Sequence, residues 1–147
     1  MARARRNTKL KWCDRMLTNC AYYYCLCITE QQFYAELKRL ELHPRDWPRF
    51  VGENGHATTH TFTSDSGKQI AIVSLGDSWP RHTGVQVAAL LVHEAVHIWQ
   101  HHARYIGTHN DHGDEEEAYA IQNIAQELME SFVEQTKELY GPRRAKG

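Results

Sequence analysis

Leu90-Leu91-Val92-His93-Glu94-Ala95-Val96-His97-Ile98-Trp99-Gln100 is the stretch on which both fold and function turn. It contains no Gly or Pro, and its apolar residues recur at helical spacing, so it predicts the interior of an α-helix. Side chains four apart in a helix share a face and lie about one turn apart. His93 and His97 can therefore aim both imidazoles at one point, at a separation that a tetrahedral Zn²⁺ accepts. Glu94 follows the first His and can reach a zinc-bound water as general base without itself holding the metal. The H-E-x-x-H pattern fixes only three positions and the chain has ten His. The same residues would also suit two packed, hydrogen-bonded histidines. The apolar helical context, and a suitable third ligand further along, favour the metal.

Outward from this stretch, Thr83-x-x-Gln86 is a capping box that opens the helix, which runs to about Arg104. Gly107 to Gly113 reads as a polar loop holding His109, Asp111 and His112. Asp114 caps a last helix with an acidic first turn, as the helix dipole favours, and Gly141-Pro142 stops it near Tyr140. The apolar stripe of that helix is Ile121, Ile124, Ala125, Leu128 and Phe132. Carried back one turn it falls on Glu117, whereas Glu115 and Glu116 head mostly polar faces. A carboxylate at the head of an inward stripe is costly to bury alone, and a metal ion is a good partner for it.

Upstream, residues 12–20 read as a short helix with Trp12, Met16 and Leu17 on one side. Residues 21–28 (AYYYCLCI) are aromatic and β-prone and read as a strand. Thr29-Glu30-Gln31-Gln32 is a second capping box. It opens a helix with Phe33, Leu37 and Leu40 on its apolar face, which His43-Pro44 ends. Trp47 and Phe50, in the loop 43–56, are suited to plug the core or line a cleft. Residues 57–63 and 68–75 flank the turn signal Ser64-Asp65-Ser66-Gly67 and form a hairpin. Its second strand is the more buried, and 57–63 is the likelier edge on polarity grounds. The expected fold is α+β: a single domain over 12–140 with a small antiparallel or mixed sheet packed on the H-E-x-x-H helix and a second, Glu-bearing helix. Residues 1–11 and 141–147 read as basic flexible ends.

At 147 residues the chain is long enough for one core. A hydrophobic share of 41% and a charged share of 24% are those of an ordinary globular protein. The net charge of −1 argues against a nucleic-acid partner. No stretch approaches the roughly 20 apolar residues needed to span a bilayer. Cys13-Asp14-Arg15 and Thr18-Asn19 interrupt anything resembling a signal-peptide core, so a cytoplasmic location is expected. There Cys13, Cys20, Cys25 and Cys27 are thiols. Their spacing fits none of the common four-cysteine zinc patterns, which leaves them as small buried hydrophobes.

H-E-x-x-H followed, twenty residues after the second His, by Glu117-Ala118 on another helix resembles the gluzincins, the thermolysin-like zinc peptidases, in a minimal form. His93-Glu94-Ala95-Val96-His97-Ile98-Trp99-Gln100 and Glu117-Ala118-Tyr119-Ala120-Ile121-Gln122 are also similar to uncharacterised metallopeptidase-like proteins of phages and prophages. The resemblance implies a zincin-like fold, zinc held by His93, His97 and Glu117, and Glu94 as the base. It is specific only at the two metal helices. Such enzymes carry an Asp four residues beyond the third ligand to orient the first His; here that position is Ile121, so His93 needs another partner. Three other ligand sets were open to comparison. The metzincin pattern fails at Ala103. His112-Gly113 has the look of SprT-like proteases, although Glu116 stands where an aromatic should follow. Gly107-Thr108 with Asp111 approaches the aspzincin arrangement, displaced by one. Glu117 is the favoured third ligand, with His112 and Asp111 as alternatives.

The function expected from these residues is metallo-endopeptidase activity on a peptide or protein substrate, with Zn²⁺ as cofactor. Tyr105, His109 and His112 are candidates to stabilise the oxyanion. Two other classes stay open: a zinc-stabilised binding protein without catalysis, and a SprT-like, nucleic-acid-associated protease using His112.

Overall fold

The computed structural model of the chain describes residues 10–13, 20–108 and 114–140. Along it run β1 (Trp12–Cys13), β2 (Tyr22–Cys27), α1 (Glu30–Arg39), β3 (Ala57–Thr63), β4 (Gln69–Leu75), α2 (Gly84–Tyr105) and α3 (Asp114–Tyr140). Both expected capping boxes form: Thr29 with Gln32 at the start of α1, and Thr83 with Gln86 at the start of α2. The Ser64–Gly67 turn also forms, with Gly67 at φ +80° donating to the carbonyl of Ser64, a backbone conformation that glycine adopts without strain.

The strands form one mixed sheet in the order β1-β2-β4-β3. β2 and β4 run parallel at its centre, while β1 and β3 lie antiparallel on the two edges. Every residue of β4 is buried, which explains its continuous apolar sequence: the strand is covered on both faces. Alternate residues serve opposite sides. Tyr22, Tyr24, Leu26, Ala71, Val73 and Leu75 join the core under α2 and α3. Cys25, Cys27, Ile70 and Ile72 join the core under α1, together with Phe33, Leu37 and Phe50. Trp47 stacks on Tyr34 and Phe50 is buried, so both aromatics close the α1 side of the core and line no cleft there.

Two local expectations need correction. Trp12 and Cys13 do not start a helix; they pair with Cys25 and Tyr24 of β2. The rest of that expected helix, residues 14–19, lies outside the described residues. Leu10, just before it, is buried in the α1-side core. Helix α1 also ends before His43-Pro44. Glu41 takes a left-handed φ of 60°, and the N–H of Leu42 closes back on the carbonyl of Leu37. The backbone turn, and not the proline restriction, is the stop. Among the described residues no helix is long and apolar enough to cross a membrane.

Candidate functional site

α2 is an uninterrupted helix of 22 residues, and its inward face is Val87, Leu91, Glu94, Ala95, Ile98, Trp99, His102 and Ala103. The helical repeat puts His93 and His97 on the other side, with His93 exposed and His97 half-buried. Their Nε2 atoms approach to 3.1 Å, and their rings are nearly perpendicular at 82°. Gln100, one turn further on, accepts from Nδ1 of His97 at 3.2 Å. With the proton on Nδ1 for that bond, Nε2 of His97, which faces Nε2 of His93, is the nitrogen left to act as a ligand. Two nitrogens each at zinc-binding distance around a tetrahedral ion stand about 3.3 Å apart. The His93–His97 pair therefore fits zinc at two positions.

Glu94 lies between α2 and the edge strand and is only 3% exposed. The hydroxyl of Thr59, on β3, donates to its Oε2 at 2.6 Å and lies 3.4 Å from its backbone carbonyl. Thr59 in turn is fixed by antiparallel pairing opposite Val73. His60, the next residue on β3, points to the α1 side, where its Nε2 donates to the carbonyl of Phe50 at 3.0 Å. Burial holds the His60 pKa below the ordinary imidazole value, against the opposing pull of that bond and of the Glu94 charge. His101 is likewise lowered, first by burial and then by the neighbouring Arg104 and His97.

The remaining expected site residues lie as follows. Glu117 is half-buried on α3 while Glu115 and Glu116 are exposed, in keeping with its place at the head of the inward stripe. The buried line that it heads is Ala120, Ile124, Ala125 and Leu128, with Ile121 only partly covered. Among the described residues, however, no three of His, Cys, Asp and Glu gather as a metal-binding group, so Glu117 is not brought to the His pair. His109, Asp111 and His112 lie outside the described residues. Tyr105 is 55% exposed and packs edge-on against Tyr22. It sits at the end of α2, about 12 Å along the helix axis from His97, and is not brought to the pair as an oxyanion donor.

The cysteines divide between the faces of the sheet: Cys13 and Cys20 in the α2–α3 core, Cys25 and Cys27 in the α1 core, all four buried and free. Burial, followed by the Glu127 charge, pushes the Cys13 thiol up to about 12; burial pushes Cys20 up to about 11. These thiols stay protonated at neutral pH, as packing residues do.

Sequence reasoning missed Gln100 and Thr59. Gln100 is three residues past His97, a helical neighbour that spacing alone identifies. Thr59 carried no such signal, because its partner is 35 residues away in sequence. An open groove of about 780 Å³ runs along α3, floored by Ile121, Ala125 and Met129 and flanked by Val92, the residue before His93. Compared with family models, with curated proteins and with solved structures, the chain matches none.

Proposed function

We propose that the chain is a zinc-dependent peptidase in which His93 and His97 hold the metal, Glu94 is the general base, and Glu117, the third ligand expected from the sequence, closes on the pair only when the metal binds. The observation that carries this reading is the pairing of two converging imidazole nitrogens, 3.1 Å apart, with a buried carboxylate on the next residue of the same helix. A purely structural metal site has no need of that carboxylate. When bound, zinc in such a site brings the pKa of its water toward about 7 and polarises a carbonyl oxygen. The chain's own contribution is proton handling and placement. Glu94 accepts a proton from the attacking water at its carboxylate and passes it to the departing amine. β3, an edge strand of the sheet among the described residues, offers backbone groups to an extended peptide. The groove beside Val92 offers an apolar side chain a place to lie.

Zinc content per purified chain, by elemental analysis beside native mass spectrometry, tests the reading together with cleavage of an unfolded protein such as casein. About one zinc is expected, lost in His93→Ala and Glu117→Ala and kept in His112→Ala. Glu94→Gln should keep the zinc and lose cleavage by about 10²- to 10⁴-fold. A protein that takes up no zinc, even from added metal, sinks the proposal.

A further inference from the structure

We propose that Thr59 is a positioning residue for Glu94, selecting the carboxylate oxygen that takes the proton; this rests on the peptidase reading above. A buried carboxylate is costly unless something donates to it, and Glu94 is 3% exposed. The hydroxyl of Thr59 reaches Oε2 at 2.6 Å, within the range of a charge-assisted O–H···O⁻ bond. A threonine hydroxyl has one hydrogen. Given to Oε2, it engages that oxygen and leaves Oε1 as the acceptor for the substrate-side proton.

The donor is also stiff. Thr59 is β-branched, which restricts its χ1, and its backbone is locked in the ladder opposite Val73. Strand alternation sends Thr58, His60 and Phe62 to the other face of the sheet, and of the residues left on this face Thr59 is the one that donates to Glu94. The same strand is the sheet edge that would receive a peptide. One rigid element thus sets both the substrate backbone and the oxygen that must meet it. A near-attack geometry of this kind is sensitive to displacements of about 1 Å.

The test uses the full chain and two variants: Thr59→Val, which keeps the shape and removes the hydroxyl, and Thr59→Ser, which keeps the hydroxyl. With casein or a quenched-fluorescent peptide mixture as substrate, Thr59→Val should lower kcat about 10- to 100-fold. KM and zinc per chain should stay at wild-type values, and Thr59→Ser should recover most of the rate. Thermal melting of the zinc-free protein reads the contact itself. Thr59→Val should lower Tm when Glu94 is present, and should not lower it further once Glu94→Ala has removed the carboxylate. An active wild type whose kcat survives Thr59→Val within about twofold, or a loss that Thr59→Ser fails to restore, overturns the positioning role alone. Additive melting shifts overturn the contact. A wild type that binds no zinc and cuts nothing removes the peptidase reading, and the positioning role with it, while the melting cycle still reports whether Thr59 and Glu94 interact.

Discussion

On one side of the sheet, α1 and the loop after it cover the strands ring upon ring. Phe33 meets Tyr34, Phe50 and His60 with centroids 5.3, 5.7 and 4.8 Å apart, over a floor of Cys25, Cys27, Ile70 and Ile72. On the other side, α2 and α3 cover an equally apolar floor but add a series of polar contacts between distant elements. Thr59 donates to Glu94, the Ala21 N–H to His102, Tyr24 to Glu127, and Gln135 to the carbonyl of Leu26. Such contacts add little net stability, yet each costs a good deal if half of it is removed. They do fix where particular side chains point. The α1 face is therefore mainly packing, with Trp12–Glu36 and His60–Phe50 as polar contacts and Gln32–Gln135 as a tie between the faces, while the α2–α3 face carries more of the orienting contacts, and the candidate site lies on the second.

The strongest way to break this comparison is to hollow out the α1 face. Phe33 is wholly buried, so Phe33→Ala should cost about 3–5 kcal/mol of stability in denaturant unfolding. If the chain binds zinc as proposed and the faces divide as described, the surviving folded fraction should keep the wild-type zinc content. Loss of zinc at temperatures where that variant is folded would show that the two faces are coupled. A smaller cost is expected from Tyr24→Phe on the α2–α3 face, which removes one hydroxyl and no packing volume. Glu127 then loses a donor, for about 1–3 kcal/mol. A neutral result would mean that water replaces Tyr24 at Glu127, and that this contact orients nothing.

Much of this arrangement was legible in the chain, for local reasons. The capping boxes at Thr29 and Thr83, the turn at Ser64–Gly67 and the helical spacing of His93 and His97 are all decided within a few residues. What was misread depends on partners far away in sequence. Trp12 and Cys13 have too few residues to show any periodicity, and their strand exists only because β2 lies beside them. The apolar spacing of Trp12, Met16 and Leu17 predicts a helix from Trp12, and at Trp12 and Cys13 the pairing with β2 overrides it. The end of α1 followed backbone closure at Glu41, which left no residue signature, since glycine is the usual occupant of that position. At the site the pattern is the same. Spacing placed His93 and His97 on one helix face, where their rings converge, and burial ranks Glu117 above its two neighbours. The contact of Glu94 with Thr59 had to wait for the sheet, because polar β-branched residues on an edge strand read simply as solvent-facing.

Two histidines, one on each face, give the finest version of the comparison. Burial lowers the pKa of both below the ordinary value of 6.5. Their hydrogen bonds differ in sense, however. His60 donates from Nε2 to the carbonyl of Phe50, a bond that a protonated ring can keep. Nδ1 of His102 accepts the N–H of Ala21 at 3.0 Å, a bond that protonation destroys. Glu116 favours the His102 cation, but less than burial disfavours it. A histidine whose folded pKa lies below its unfolded one leaves the unfolded chain holding more protons. Its contribution to stability is therefore intact above about pH 6.5 and is lost as the pH falls through that value toward the folded pKa. His102→Asn isolates this contribution, because the amide oxygen can take the place of Nδ1 and cannot be protonated in this range. In urea unfolding of the zinc-free protein between pH 7 and pH 5, wild type should weaken with falling pH, and His102→Asn should weaken less. Equal slopes would mean that the α2–α3 contact at Ala21 tolerates the cation, and that the acid sensitivity of the fold belongs to the other lowered histidines, His60 and His101.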